Sequence, residues 1–179
     1  MSTPLKLALP SRSRLLAGTA LCGALALLPA TRALALPQPG TPTTLQSGGA
    51  DLPPTITTSG STMTVAADAQ NTLIEWRTYT VASGQTVDYT VPSASSIVLN
   101  ELPEGTQADI AGALNAYIGS VGGAIGGNIW FSAPSGMIFG AGAVINVGGL
   151  LATTAIPNEN EFLDGRFSRA GGFGSPNRS

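Results

Sequence analysis

Histidine is absent from this 179-residue chain, and cysteine and lysine occur once each, as Cys22 and Lys6. Imidazole, thiolate and amine groups carry most nucleophilic, general-base and metal-binding chemistry near neutral pH, so their scarcity argues against an enzyme. Charged residues make up only 10% of the chain, which excludes coiled coils and basic nucleic-acid binders. The 23 glycines and 13 prolines argue against a helix-rich architecture, while a hydrophobic content of 43% suffices for the core of one domain.

The N-terminus has the pattern of a secretory signal peptide. Basic residues precede an uncharged apolar run over residues 15–28, and the sequence Ala33-Leu34-Ala35 follows it. A single transmembrane anchor is the alternative, but the run is short for a bilayer and is followed by the small residues of a cleavage site. We therefore predict a signal peptide over residues 1–35, cleaved after Ala35, and Cys22 leaves with it.

The part of the chain after Ala35 contains no cysteine, histidine or lysine. Its charges are four arginines against ten acidic residues, which gives a net charge of 4 − 10 = −6. An exported chain without thiols forms no disulfide, so its stability must come from packing and backbone hydrogen bonds. This favours an architecture with a long, continuous hydrogen-bonded ladder.

Alternating polar and apolar residues predict β-strands over the first half of the exported part. After an extended lead-in, residues 55–65 are typical of a β-hairpin that turns at Ser59-Gly60-Ser61. Three more strands are predicted at residues 73–81, 86–91 and 96–102, because each run is rich in β-branched or aromatic residues and is bounded by Gly or Pro.

One helix is predicted, over residues 107–118. Ile110, Leu114 and Ile118 recur there at i, i+4 and i+8, which is the spacing of one helix face. Gly119 ends the pattern.

Residues 111–158 contain no charged side chain, and two interpretations compete for them. In the first, small residues four apart pack two membrane helices together. Against it, Pro134 would break a single span, and neither half then offers the ~20 mainly apolar residues that a crossing needs. The glycines with this spacing are Gly119, Gly123 and Gly127, and again Gly136 and Gly140.

In the second interpretation, short strands at residues 128–132, 137–139 and 143–147 are separated by tight turns. This pattern is typical of a parallel β-helix, in which stacked coils bury a column of aliphatic side chains. Uncharged polar residues suit such a stack, because like charges repeated about 4.8 Å apart would repel. We prefer this interpretation, and it leaves Asn100, Asn128 and Asn146 either at related corners or at ordinary surface positions.

Four segments, in order along the chain, resemble the secretion domain of filamentous haemagglutinin, found in exoproteins of bacterial two-partner secretion systems. The longest is WFSAPSGMIFGAGAVINVGG at residues 130–149. It is preceded by IEWRTYTVASGQTVDY at 74–89 and SASSIVLNEL at 93–102, and followed by EFLDG at 161–165. The resemblance covers roughly residues 36–165 and leaves residues 166–179 as a flexible Gly, Arg and Ser tail.

The resemblance implies an all-β fold, a right-handed parallel β-helix with N-terminal capping strands, here short or truncated. It implies export to the periplasm of a Gram-negative bacterium, recognition there by an outer-membrane β-barrel transporter, and release to the medium or the cell surface. It implies adhesin-like or haemagglutinin-like binding to a host or cell-surface receptor, with no catalysis, no cofactor and no nucleic acid.

In that family, an Asn-Pro-Asn-Gly turn and an Asn-containing strand motif are linked to secretion competence. The resemblance places the turn at Ala133-Pro134-Ser135-Gly136, with both Asn lost, and the strand motif at Leu99 and Asn100. Asn hydrogen-bonds its own backbone in turns, which Ala does not do and Ser does weakly, while Pro and Gly still set a turn. The turn is therefore either a plain corner of a coil or a direct contact with the transporter.

A polysaccharide-active β-helix is a further alternative, because paired carboxylates cleave glycosides. The clustered acids are Asp88, Glu101, Glu104 and Asp109. We expect them in or beside turns, with little basic or aromatic company, and therefore expect no catalysis.

Two structural expectations complete the interpretation. Trp76 and Trp130 are expected in the core or in a cap rather than as platforms for a ligand. The last coil is expected to expose an unpaired edge, so that it needs a cap, a partner or self-association.

Overall fold

The structure is a computed structural model that describes residues 35–40, 53–159 and 162. The predicted signal peptide lies outside the described residues except for Ala35, and so do the predicted tail at 166–179 and most of the EFLDG segment. Those assignments stay predictions.

Twelve β-strands make up most of the described part of the chain. In chain order they are β1 (Gln38–Pro39), β2 (Thr55–Ser59), β3 (Thr62–Ala66), β4 (Asn71–Val81), β5 (Thr86–Val91), β6 (Ile97–Glu101), β7 (Ala108–Ile110), β8 (Ala113–Ile118), β9 (Asn128–Ser132), β10 (Met137–Phe139), β11 (Val144–Asn146) and β12 (Gly149–Thr153).

The strands wind into a parallel β-solenoid of about three turns, because the chain returns to the same three faces on each turn. The first face contains the first half of β4, then β6, β9 and β12. The second contains the second half of β4, then β7 and β10. The third contains β3, β5, β8 and β11. The all-β, parallel fold predicted from the sequence is confirmed.

The N-terminal strands close the first coil. β2 pairs antiparallel with β3 at the start of the third face, and β1 pairs antiparallel with β4. The β2–β3 hairpin turns at Gly60, whose φ of 58° is the left-handed conformation that glycine adopts without steric cost. The predicted hairpin is therefore confirmed, and it covers a strand edge that would otherwise be open.

Aliphatic and aromatic side chains form a continuous column inside the solenoid. Residues in register on successive coils stack on one another, as Val87 does on Leu114 and Val98 does on Ile129. All four are almost completely buried. A single coil cannot bury such a column, so each coil is stabilised mainly by its neighbours.

A second, smaller apolar cluster lies on the outer side of the first face. Leu73 and Leu99 are fully buried there beneath Phe162, and the Trp130 ring lies 6.0 Å from the Phe162 ring, centroid to centroid. The Asn71 side-chain amide also donates to the Phe162 carbonyl (3.4 Å). The chain after β12 therefore returns across the outside of the earlier coils.

The helix predicted over residues 107–118 is wrong, because β7 and β8 occupy this stretch. The chain turns a corner at Gly112, where an added Cβ would lie 2.5 Å from the Ala82 carbonyl oxygen. Ile110 and Leu114 lie on either side of that corner and are both fully buried. Two short strands that meet at a corner thus reproduce the i, i+4 spacing of a helix.

The membrane-helix alternative for residues 111–158 is also wrong, because this stretch forms strands β8 to β12. β9 and β10 have the predicted bounds, and the strand predicted at 143–147 is the shorter β11. β12 follows them and was not predicted. Within the part of the chain that the structure describes, no helix has the length and hydrophobicity to cross a bilayer.

Candidate functional site

A buried polar network is centred on Asn100, in the middle of β6. The Asn100 side chain is fully buried inside the solenoid. Its Oδ1 accepts hydrogen bonds from the Trp76 indole N–H (2.8 Å) and the Tyr89 hydroxyl (2.7 Å). Its Nδ2 donates to the Trp130 backbone carbonyl (3.1 Å). One amide thus connects strands β4, β5, β6 and β9.

Tyr79 completes this network, and the donor direction of each bond follows from its chemistry. The Tyr79 and Tyr89 hydroxyl oxygens are 2.9 Å apart. Tyr89 has one hydroxyl proton and gives it to Asn100 Oδ1, which only accepts. Tyr79 must therefore donate to Tyr89. We call Trp76, Tyr79, Tyr89 and Asn100 the Asn100 network.

Aromatic contacts hold the network in position. The Tyr79 ring meets the Trp76 ring edge-on, with centroids 5.2 Å apart, and meets the Phe131 ring in the same manner at 4.9 Å. Such edge-to-face pairs add about 0.5 to 1.5 kcal/mol beyond burial of their area. Trp76 is a core residue, as predicted, while Trp130 is half-buried against the outer apolar cluster.

Burial keeps both tyrosines of the network neutral. Loss of hydration raises the pKa of Tyr79 above its ordinary value, and the hydrogen bond to Tyr89 opposes this only in part. Burial is also the main reason why the pKa of Tyr89 is raised, followed by the proximity of Tyr79. The network therefore remains a set of neutral hydrogen bonds through the physiological pH range.

The strand motif predicted at Leu99 and Asn100 is not exposed to a partner. Asn100 points into the core, and Leu99, on the opposite side of β6, is covered by Phe162. Neither side chain is accessible in the folded chain. Both side chains therefore contribute to packing within the fold.

The predicted turn at residues 133–136 does form a corner, between β9 and β10. The Gly136 N–H donates to the Ala133 carbonyl (2.8 Å), and Gly136 has a φ of 95°. Ala133 is buried in the core, Pro134 is half-buried and Ser135 is exposed. The first position of the turn is thus a core position, while the middle of the turn faces solvent.

Ser135 also ties this turn to the corresponding turn of the preceding coil. Its Oγ accepts a hydrogen bond from the Gly105 backbone N–H (2.7 Å). The two turns are therefore stacked, and the second presents Pro134 and Ser135 at the surface. The structure separates the six predicted motif residues into a buried pair at 99–100 and a partly exposed turn.

A cleft of about 390 Å³ opens beside these turns. We call it the acidic cleft, because four of its lining residues are glutamates and, among the described residues, none of its lining is basic. Apolar residues form the rest of its lining. The lining residues are Glu75, Glu101, Glu104 and Glu159, with Gly40, Trp76, Leu102, Pro103, Pro134 and Ile156.

Glu101 is the most perturbed acid of the cleft. It is in register with Glu75 on the neighbouring strand, and its Oε2 is buried without a hydrogen-bond partner among the described residues. Burial raises the pKa of Glu101 to about 7, and the nearby carboxylates of Glu159 and Glu75 add to the effect. Glu101 therefore changes charge close to neutral pH.

Of the four acids considered for a catalytic pair, Glu101 and Glu104 both line the acidic cleft, whereas Asp88 and Asp109 lie elsewhere. Asp88 lies within β5 on the third face, not beside a turn as expected, and accepts a hydrogen bond from Asn115 Nδ2 (2.8 Å). Glu101 lies on the first face, and Asp109 is exposed on the second. Among residues 35–40, 53–159 and 162, no group of acidic side chains is arranged to hold a metal ion.

A ladder of polar side chains on the third face was not anticipated from the sequence. Asn146 Nδ2 donates to Asn115 Oδ1 (2.9 Å), and Asn115 in turn donates to Asp88. Asn128 lies instead on the first face, where it donates to the Ser96 carbonyl (3.2 Å). Asn100, Asn128 and Asn146 thus occupy three unrelated positions, and only the strand register reveals the ladder.

Comparison with known proteins agrees with this architecture. The family model of the TPS secretion domain matches residues 36–178. Two heme/hemopexin-binding proteins of Haemophilus influenzae are similar to the chain, one of them from strain Rd. The identities are 31% over 99 residues and 29% over 97 residues.

The matched region is about half of this chain but only a small part of each relative. The matches cover 55% and 54% of this chain but 10% of each Haemophilus influenzae protein. The chain therefore spans about a tenth of the length of these relatives.

Proposed function

Because this chain belongs to the TPS secretion domain family, we propose that it is a recognition module for two-partner secretion, bound in the periplasm by an outer-membrane β-barrel transporter. The family match over residues 36–178 is the observation that carries the proposal. The solenoid supports it, because stacked coils present rows of side chains on a rigid outer surface.

We assign different roles to the two motif-like segments. Asn100 acts from inside the solenoid by holding three coils together through its hydrogen bonds. Pro134 and Ser135 lie at the surface and contribute to the face that the transporter recognises. Substitution at Asn100 therefore impairs secretion through loss of folding, whereas substitution at Ser135 impairs it without unfolding.

The exported product carries out its role outside the cell, at the surface or in the medium, as an adhesin-like protein that binds a host or cell-surface receptor. We propose that its last coil also associates with itself. Among the described residues, β10, β11 and β12 each pair with a strand on one side only. Ile138, Phe139, Val144 and Leu150 are exposed there, and unpaired edges with apolar side chains favour association.

Heme or hemopexin binding is not part of this proposal. The relatives with that name share only a tenth of their length with this chain. Residues 36–179 also contain no His or Cys, which are two of the usual axial ligands of heme iron. We likewise assign no catalytic step to the acids described above.

The test is co-expression of the chain with a candidate two-partner transporter in a Gram-negative host. We expect the chain in the medium only when the transporter is present, with the signal peptide removed. Ser135→Asp should lower the secreted amount and leave the far-ultraviolet circular dichroism of the purified chain unchanged. Equal release with and without every transporter tried would contradict the proposal.

A further inference from the structure

The acidic cleft combines a charged rim with apolar walls next to the exposed turn. Glu75 and Glu101 are adjacent in register on parallel strands, and Glu159 lies close enough to Glu101 to raise its pKa. Pro103, Pro134 and Ile156 form the solvent-accessible apolar part of the wall. Like charges held this close on one face repel each other and destabilise the arrangement.

No basic residue lines the cleft within the described part of the chain, so none of the described residues relieves this repulsion. Arg77 is the one arginine among the described residues, and it does not line the cleft. Glu101 Oε2 is buried there without a hydrogen-bond donor. A buried acceptor without a donor carries a desolvation penalty, and a charged donor that reached it would remove that penalty.

We propose that the acidic cleft binds an extended peptide segment that carries an arginine next to an apolar residue, supplied by the periplasmic part of the transporter. This inference rests on the proposed function, because the transporter is the partner that meets the chain in the periplasm. The guanidinium contacts Glu75 and Glu101, and the apolar neighbour packs against Pro103 and Ile156.

The cleft favours arginine for chemical reasons. A guanidinium is planar, stays charged at all relevant pH values and offers paired N–H donors to two carboxylates, whereas an ammonium group is a strongly hydrated point charge. The aliphatic stem of arginine also packs on apolar walls. A cleft of about 390 Å³ falls within the size range of small-ligand sites and accommodates a few side chains rather than a folded domain.

The position of the cleft connects it to the turn at 133–136. Pro134 belongs both to that turn and to the cleft wall, together with Pro103 of the preceding coil. A peptide in the cleft therefore lies against the stacked turns that Ser135 links. One occupant would contact the glutamates and the exposed turn at the same time.

Peptide binding to the full exported chain tests this inference. The probe is acetyl-Thr-Val-Arg-Val-Thr-amide, measured by calorimetry at physiological salt, with the Lys and Glu versions for comparison. We expect the Arg peptide to bind at least tenfold more tightly than the Glu peptide and more tightly than the Lys peptide. Binding should strengthen from pH 5 to pH 8, as the Glu101 carboxyl loses its proton beside Glu75, Glu104 and Glu159.

A pair of matched double variants assigns the binding to the cleft. Glu75→Gln with Glu101→Gln should weaken the Arg peptide at least tenfold. Asp68→Asn with Asp109→Asn removes the same charge from exposed positions outside the cleft and should leave binding within twofold of wild type. Both variants must retain the wild-type circular dichroism spectrum, which the isosteric changes favour.

The outcomes separate this inference from the function on which it rests. Equal loss of binding in both double variants would show charge attraction alone and overturn the cleft assignment. Binding of calcium chloride alone, with no peptide binding, would overturn it as well. If the wild type is secreted by its transporter and the cleft double variant is secreted equally well, the inference fails and the secretion function stands. If no transporter exports the wild type, the secretion function fails.

Discussion

Truncation of Asn100 is the sharpest test of what holds the coils together. Asn100→Ala leaves the Trp76 indole N–H without its acceptor and removes the amide donor from the Trp130 carbonyl. Each buried polar group that loses its partner costs about 1 to 3 kcal/mol, and the small cavity adds to this. We therefore expect the free energy of unfolding to fall by about 3 to 5 kcal/mol, a large share of the ~5 to 15 kcal/mol typical of a domain.

Urea denaturation followed by tryptophan fluorescence measures this loss, because Trp76 belongs to the network. With a slope of about 1 to 3 kcal/mol per molar urea, the midpoint should drop by roughly 2 M. Asn128→Ala is the matched control, since Asn128 is half-buried and donates only longer bonds of 3.2 and 3.4 Å to backbone carbonyls. That change should cost less than about 1 kcal/mol. Equal midpoints for the two variants would refute the structural role of Asn100.

Five further substitutions and one titration test the remaining structural claims. Tyr89→Phe should destabilise the fold by about 2 to 3 kcal/mol and Tyr79→Phe by about 1 kcal/mol. The difference arises because the Tyr89 hydroxyl both donates and accepts a hydrogen bond, whereas the Tyr79 hydroxyl only donates. If Tyr79→Phe unfolded at a lower urea concentration than Tyr89→Phe, the assigned proton positions would be contradicted. Since the pKa values of Tyr79 and Tyr89 are raised, the folded chain holds more protons than the unfolded chain above about pH 10. The stability of the fold should therefore decrease as the pH rises further. Phenolate absorbance from both tyrosines at a pH where the chain is still folded would argue against their burial. The pKa of Glu101 is raised from 4.5 to about 7, so the folded state binds more protons in that window and loses stability as pH increases through it. Glu101→Gln should therefore unfold at the same urea concentration as wild type at pH 4 and be more stable than wild type by about 1 kcal/mol at pH 8. This value is reduced because solvent screens the charge of the half-exposed Glu101 carboxylate. A stability difference that did not change with pH would be inconsistent with the raised pKa. Gly112→Ala should lower the free energy of unfolding by more than about 2 kcal/mol, because the added Cβ would overlap backbone carbonyl oxygens. Gly60→Ala should lower it by about 1 kcal/mol, because only the left-handed φ is unfavourable there. Similar thermal midpoints for the two variants would argue against a tight corner at Gly112.

Local patterns in the sequence were enough to predict most of the strands. The hairpin at residues 55–65 and the strands at 86–91, 128–132 and 137–139 alternate or are bounded by Gly and Pro, and these local signals act within a few residues. The helix prediction over residues 107–118 was wrong, because two short strands around Gly112 imitate helical spacing. Periodicity alone cannot detect a corner that the backbone makes within one turn of an apparent helix.

The side-chain hydrogen-bond networks could not be predicted from the sequence, for a different reason. The partners of Asn100 lie 24, 11 and 30 residues away, in Trp76, Tyr89 and Trp130. The ladder from Asp88 through Asn115 to Asn146 has unequal intervals of 27 and 31 residues. Because the coils differ in length, the residues that stack on one another cannot be identified from a fixed spacing in the sequence. The family resemblance identified Asn100 as a motif residue, but it did not indicate that its side chain is buried.

Hydrogen exchange of the Trp76 indole proton tests most directly whether the coils stack around the Asn100 network. In the stacked solenoid this proton is buried and bonded to Asn100, 24 residues further along the chain. Nuclear magnetic resonance of the exported chain should show it exchanging only through unfolding, with close contacts to Asn100 and Tyr89. An indole proton that exchanges as fast as free tryptophan, or helical amide contacts across residues 119–154, would contradict the fold and the functional site built on it.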